Sequence, residues 1–220
     1  MQESSIKNSV THSDPSSKGW TLVIAGYSTA AVGLVAFLTI NGASGTPAAA
    51  TIGTAILIAV GLLLPAAGML QLRTNLGPIE SAARKSFAMQ AFGLLGLLIG
   101  VVVLVAGSSL LGYFVSAAFV VTAGMLAIAG AVVLRRHYII SAIASSNTSS
   151  LVYLIFGMAL IFSGVGLIVG SNIAYQFLLF QMENTIYVDL GTTISACGCV
   201  LAAYSFFVLQ NSTNYHKMDL

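Results

Sequence analysis

Between Arg84 and His137 the chain holds two long apolar runs back to back, parted only by Gly107-Ser108-Ser109. Arg84-Lys85 stands before the first run and Arg135-Arg136 after the second. Crossing a bilayer as a helix takes about 20 mainly apolar residues. Each run is that long, and neither contains Asp, Glu, Lys or Arg. The segment reads as a transmembrane helical hairpin with both cationic feet on one side of the membrane.

The rest of the chain offers two looser copies of this unit. Apolar stretches of spanning length fall near 19–40, 48–72, 86–106, 110–134, 151–169 and 187–209. They are continuously apolar, whereas barrel strands alternate polar and apolar residues over about ten positions. Only 6% of the 220 residues are charged. A soluble domain carries about 25%, so this chain cannot wet a surface of its own. The expected fold is all-α: a polytopic membrane protein of six helices in three hairpins, over 19–209. Polar tails flank it at 1–18 and 210–220, the first read as disordered.

Lys and Arg mark the cytoplasmic side of a membrane protein. Lys7 and Lys18 precede the first span, Arg73, Arg84 and Lys85 lie between the second and third, Arg135 and Arg136 follow the fourth, and Lys217 follows the sixth. All therefore fall on one side of a six-span topology. Both termini are expected in the cytoplasm and the protein in the cell membrane. The polar start, with no early apolar core, argues against a cleaved signal peptide. Trp20, Tyr138, Tyr153 and Tyr204 are expected in the inner aromatic belt, and Tyr113 and Tyr187 in the outer one.

Two connections carry more content. Pro78 suits the first turn of a helix, so the residues after it can form a short surface helix leading into the third span. The apolar segment 171–186 is too short to cross. It is interfacial, folded over the outer mouth of the bundle, or an extension of the fifth helix.

Repetition shows in two signatures. Ala67-Gly68 with Leu72-Arg73 matches Ala129-Gly130 with Leu134-Arg135 at the same offset. In the odd spans Gly33, Gly96 and Gly164 run toward the outer turns. Three parallel hairpins would be related by an axis along the membrane normal.

In lipid, helices associate where small residues let backbones approach. Gly96 and Gly100, and Gly166 and Gly170, form Gly-x-x-x-Gly motifs. Ala123, Ala127 and Ala131 form a stripe on the fourth span, and Gly191, Ser195, Cys199 and Ala203 another on the sixth. These are expected as helix seams. Pro65 lies inside the second span and removes one backbone hydrogen bond there.

Ionisable residues inside a span are functional candidates by default. The spans hold none except Asp189, near the outer start of the sixth. Cys197 and Cys199 cannot easily pair with each other and are too few for a zinc site; they read as packing residues. No catalytic motif, metal set or cofactor fingerprint is present. The chain is therefore read as no enzyme, with no catalytic, cofactor-binding or metal site and no nucleic-acid partner. Gln90, Thr192 and Thr193, with Ser195, remain as neutral candidates for lining a pore. Arg84, Lys85, Arg135 and Arg136 remain as contacts for lipid head groups or a partner.

The three hairpins, their Gly/Ser/Pro turns and the Gly124…Gly130 spacing resemble the HdeD-type six-span membrane proteins. That resemblance covers about 19–209. It implies a six-span fold associated with acid-stress resistance and no catalytic residues to transfer. The apolar segment 171–186 departs from the short turns of such proteins. The expected function is assembly, as a homo-oligomer or as an accessory, scaffolding subunit of a larger membrane complex. The other reading is a channel or facilitator for a small neutral solute.

Overall fold

The computed structural model describes residues 15–41, 48–76, 80–106, 109–140, 148–178 and 184–218. Six helices account for nearly all of them: α1 (Pro15–Asn41), α2 (Ala48–Asn75), α3 (Ser81–Ala106), α4 (Leu110–Ile140), α5 (Thr148–Leu178) and α6 (Asn184–Met218). Each contains a window long and apolar enough to cross a membrane. The protein is an all-α, six-span membrane protein. The outward faces are as apolar as the buried ones, with Val105, Leu111, Met125 and Phe156 exposed. Water would penalise such a surface; lipid does not.

Each odd helix packs most closely on the even helix that follows it, and the three hairpins join through α2 with α3, α4 with α5, and α6 with α1. The last contact closes the six helices into a ring. The hairpins are antiparallel: Gly19 meets Gly68, Gly26 meets Pro65 and Gly33 meets Ile58.

One register relates all three. Along α1, Gly19, Gly26 and Gly33 recur every seventh residue; α3 has Ser86, Gly93 and Gly100 at this spacing, and α5 has Ser150, Gly157 and Gly164. All nine are buried. A seven-residue repeat keeps one side of a helix against its partner when the two wind left-handedly. A small residue at each repeat brings the backbones close. Opposite these rows, Pro65, Ala127 and Ala202 hold equivalent places on the even helices, as do Gly68, Gly130 and Ser205.

The polar pairs follow the same register. Ser86 Oγ donates to the Gly130 carbonyl at 2.7 Å, and Ser205 Oγ donates to the Ser150 carbonyl at the matching crossing. At the other end of these hairpins, Ser116 Oγ donates to the Gly100 carbonyl at 2.7 Å. Ser195 Oγ donates to the Ile161 carbonyl at 3.2 Å.

The repeat therefore exists, with one correction. The α2 and α4 signature aligns as read from the sequence. In the odd helices, Gly100 and not Gly96 is the partner of Gly33 and Gly164, a slip of one turn.

Other expectations also changed. The helices run past the apolar stretches: α1 begins at Pro15 and α6 reaches Met218. The helix expected after Pro78 leads directly into the third span, as α3 runs unbroken from Ser81; residues 77–79 lie outside the described residues. The fifth helix extends to Leu178, so the helical extension describes 171–178. Residues 179–183, like 1–14, 42–47, 77–79, 107–108, 141–147 and 219–220, lie outside the described residues. α2 stays one helix through Pro65.

Candidate functional site

The bundle centre is the first place to look for chemistry, and it is filled. The residue after each of the first two small residues of the odd helices points into the core: Trp20, Phe87 and Leu151 in one layer, Tyr27, Leu94 and Met158 in the next. Trp20 meets Phe87 edge-on at 6.0 Å between ring centroids and Phe206 at 5.9 Å. Tyr27 stacks on Phe206 at 6.1 Å, and its hydroxyl donates to Met158 Sδ at 3.6 Å. Side chains of α1, α3 and α5 thus meet across the ring. Trp20 was expected in the inner aromatic belt, yet it is only 8% exposed. Its ring is taken up by core packing instead of the membrane interface. Tyr204 does face outward, with its ring against Tyr153 at 6.1 Å.

The four residues read as lining a pore are not brought together, and Ser195 is taken up in the α5–α6 seam. Gln90 is wholly buried toward the cationic end of α3, one turn beyond Ser86. Thr192 lies at the other end of the bundle, and its hydroxyl bonds the Val188 carbonyl of its own helix at 2.7 Å. Thr193 is exposed and bonds the Asp189 carbonyl. In hydrocarbon a hydroxyl bonded back to its own helix is already satisfied.

Gln90 breaks the three-fold pattern, since Val23 and Leu154 hold its place in the other repeats. Its Nε2 donates to Ser86 Oγ at 3.1 Å. Its Oε1 is buried and has no hydrogen-bond partner among the described residues. Replacing Gln90 with Leu removes this acceptor and copies Leu154, while Ser86 keeps its bond to Gly130. Thermal unfolding in detergent should show stability unchanged or raised by up to about 1 kcal/mol. A clear loss would mean the amide is satisfied by a group it holds in the membrane.

The packing glycines divide sharply. A Cβ on Gly96 would meet Ala123 at 3.0 Å, and one on Gly100 would meet Val120 at 3.1 Å. Gly191 lies against Gly164, and Ser195 against both Gly164 and Ile161. Among the described residues, Gly166 and Gly170 belong to no seam, and nothing lies within 4 Å of a Cβ at either. The α5 seam passes instead through Ser150, Gly157 and Gly164, on another side of the helix. Cys199 is buried, whereas Cys197 faces outward. Gly198 and Ala202 replace Cys199 and Ala203 as the residues of α6 that meet α5.

The cations stand at helix ends on one side of the bundle: Lys18, Arg73, Arg84, Lys85, Arg135, Arg136 and Lys217. Lys85, Arg135 and Arg136 are exposed and Arg84 is half-buried. Hairpins one and two share a pattern, Lys18 matching Lys85 and Arg73 matching Arg135. Ser149 and Gln210 take these places in the third.

The chain matches no family model, no curated protein and no solved structure in comparisons with known proteins.

Proposed function

We propose that this is a non-enzymatic integral membrane protein that acts by assembly, as a homo-oligomer or as a scaffolding subunit of a larger membrane complex. The supporting observation is where small residues remain uncovered. The chain uses nine small residues on its odd helices for its own seams and leaves Gly166 and Gly170 open to lipid. Two glycines four residues apart on a lipid-facing helix allow another helix to approach closely. The aromatic centre agrees with a structural role, because it fills the place where a solute path would run. The HdeD-type resemblance belongs to the same reading.

In this reading the protein sits in the cell membrane with its cationic end and both termini in the cytoplasm. Arg84, Lys85, Arg135 and Arg136 hold anionic head groups there, each contributing about 1 kcal/mol at such a leaflet.

Extraction in a gentle detergent, followed by native mass measurement, tests the assembly. The expected particle is larger than one chain. Gly166→Leu with Gly170→Leu should reduce it to a single folded chain, since no described atom lies within 4 Å of a Cβ at either position. A wild-type particle that is strictly monomeric and free of partners would contradict the proposal.

A further inference from the structure

The α1–α6 seam closes the ring at its core but leaves its outer face hollow. Between α1 and α6 runs a groove of about 410 Å³, lined by Ile24, Ser28 and Ala31 on one side and Ala203, Tyr204 and Phe207 on the other. Its cause is visible in the repeat register. Where α1 has Ser28 and Ala31, α3 has Leu95 and Leu98, and α5 has Ala159 and Phe162. Phe162 fills its seam by packing on Gly124, with ring carbons 3.0 Å from where a Cβ would stand.

We propose that this groove holds one acyl chain of an anionic phospholipid, whose headgroup lies at Lys18. The groove lies within the spanning windows of α1 and α6, where hydrocarbon is the surrounding solvent. Its walls are apolar apart from the Ser28 hydroxyl and the tip of Tyr204. The headgroup position is polar on both sides. Lys18 is exposed on α1, roughly 9 Å along the helix from Ile24. Asn211 is exposed on α6, four residues beyond Phe207 on the same side of the helix. An ammonium and an amide at the end of an apolar groove complement a phosphate with its chain directed inward.

The test uses the full chain in nanodiscs of equal phosphatidylglycerol and phosphatidylcholine, released gently and weighed by native mass spectrometry. Each chain should retain one lipid, with phosphatidylglycerol favoured about fivefold, the effect of one cation near an anionic surface. Filling the groove with Ser28→Leu and Ala31→Phe should remove that lipid. Lys18→Gln should keep a lipid and equalise the two headgroups. The proposal is overturned if the wild type retains no lipid or the filled variant keeps it. A lipid-free dimer that the filled variant splits would make a second copy the occupant and overturn it equally. Should the filled variant fail to fold, Lys18→Gln still decides, because an unchanged headgroup ratio contradicts the placement.

Discussion

Gly26→Ala should destabilise the protein by about 1–3 kcal/mol, the range for forcing an added methyl into a packed interior. The new Cβ would stand 2.7 Å from the backbone nitrogen of Pro65 and still closer to its ring. A flexible side chain can move aside. Here the obstacle is a ring fixed to the backbone of α2, so the two helices themselves must separate. Gly53→Ala is the matched control, since no described atom lies within 4 Å of a Cβ there. It should be neutral or stabilised by up to about 1 kcal/mol. Unfolding in mixed micelles of increasing SDS fraction measures both. Equal behaviour of Gly26→Ala and Gly53→Ala would mean that α1 and α2 do not meet in this register.

Phe206→Ala should cost more, about 3–5 kcal/mol, as for other buried Phe truncations. Phe206 is wholly buried and contacts both Trp20 and Tyr27. It is the residue by which α6 joins the aromatic centre and so helps close the ring. Phe207, its neighbour in sequence, is 51% exposed, and its truncation should change stability by no more than about 0.5 kcal/mol. Trp20 is the only tryptophan, so its emission reports the centre directly. The spectrum should shift in Phe206→Ala and hold in Phe207→Ala.

The spans were legible because lipid imposes a length and a composition that few other settings share. The α2 and α4 register was legible from Gly68, Leu72 and Arg73 recurring as Gly130, Leu134 and Arg135. The odd-helix register was not, for a chemical reason. Ser86 and Ser150 stand where α1 has Gly19, and a search for glycine alone passes over them and settles on Gly96. Serine fits because its bulk stays small, and the Ser86 hydroxyl bonds the Gly130 carbonyl across the seam.

Two further features were hidden because the bundle is apolar inside and out. Trp20 obeys the composition rule for an interfacial residue and still turns inward. Gly166 and Gly170 have the spacing of a seam yet lie away from the seam α5 makes. In a soluble helix the polar face would have shown which side is buried. Here only the seven-residue recurrence of small residues carries that information. The neutral residues read as pore-lining failed to converge for a related reason. Side chains such as Thr192 and Thr193 bond their own helix, so their presence in a span says nothing of a shared path.

Ring closure by α1 and α6 is the contact on which the three-hairpin architecture depends, as it joins the two ends of the chain. It can be measured in a background with Cys197→Ala and Cys199→Ala. Ile24→Cys paired with Ala203→Cys places one thiol on each wall of the α1–α6 groove, within reach of a short bifunctional thiol reagent. The closed ring gives a cross-link within a single chain, and Ile24→Cys paired with Ala159→Cys gives none. A cross-link from the second pair and not the first, or links only between chains, would contradict the closed ring.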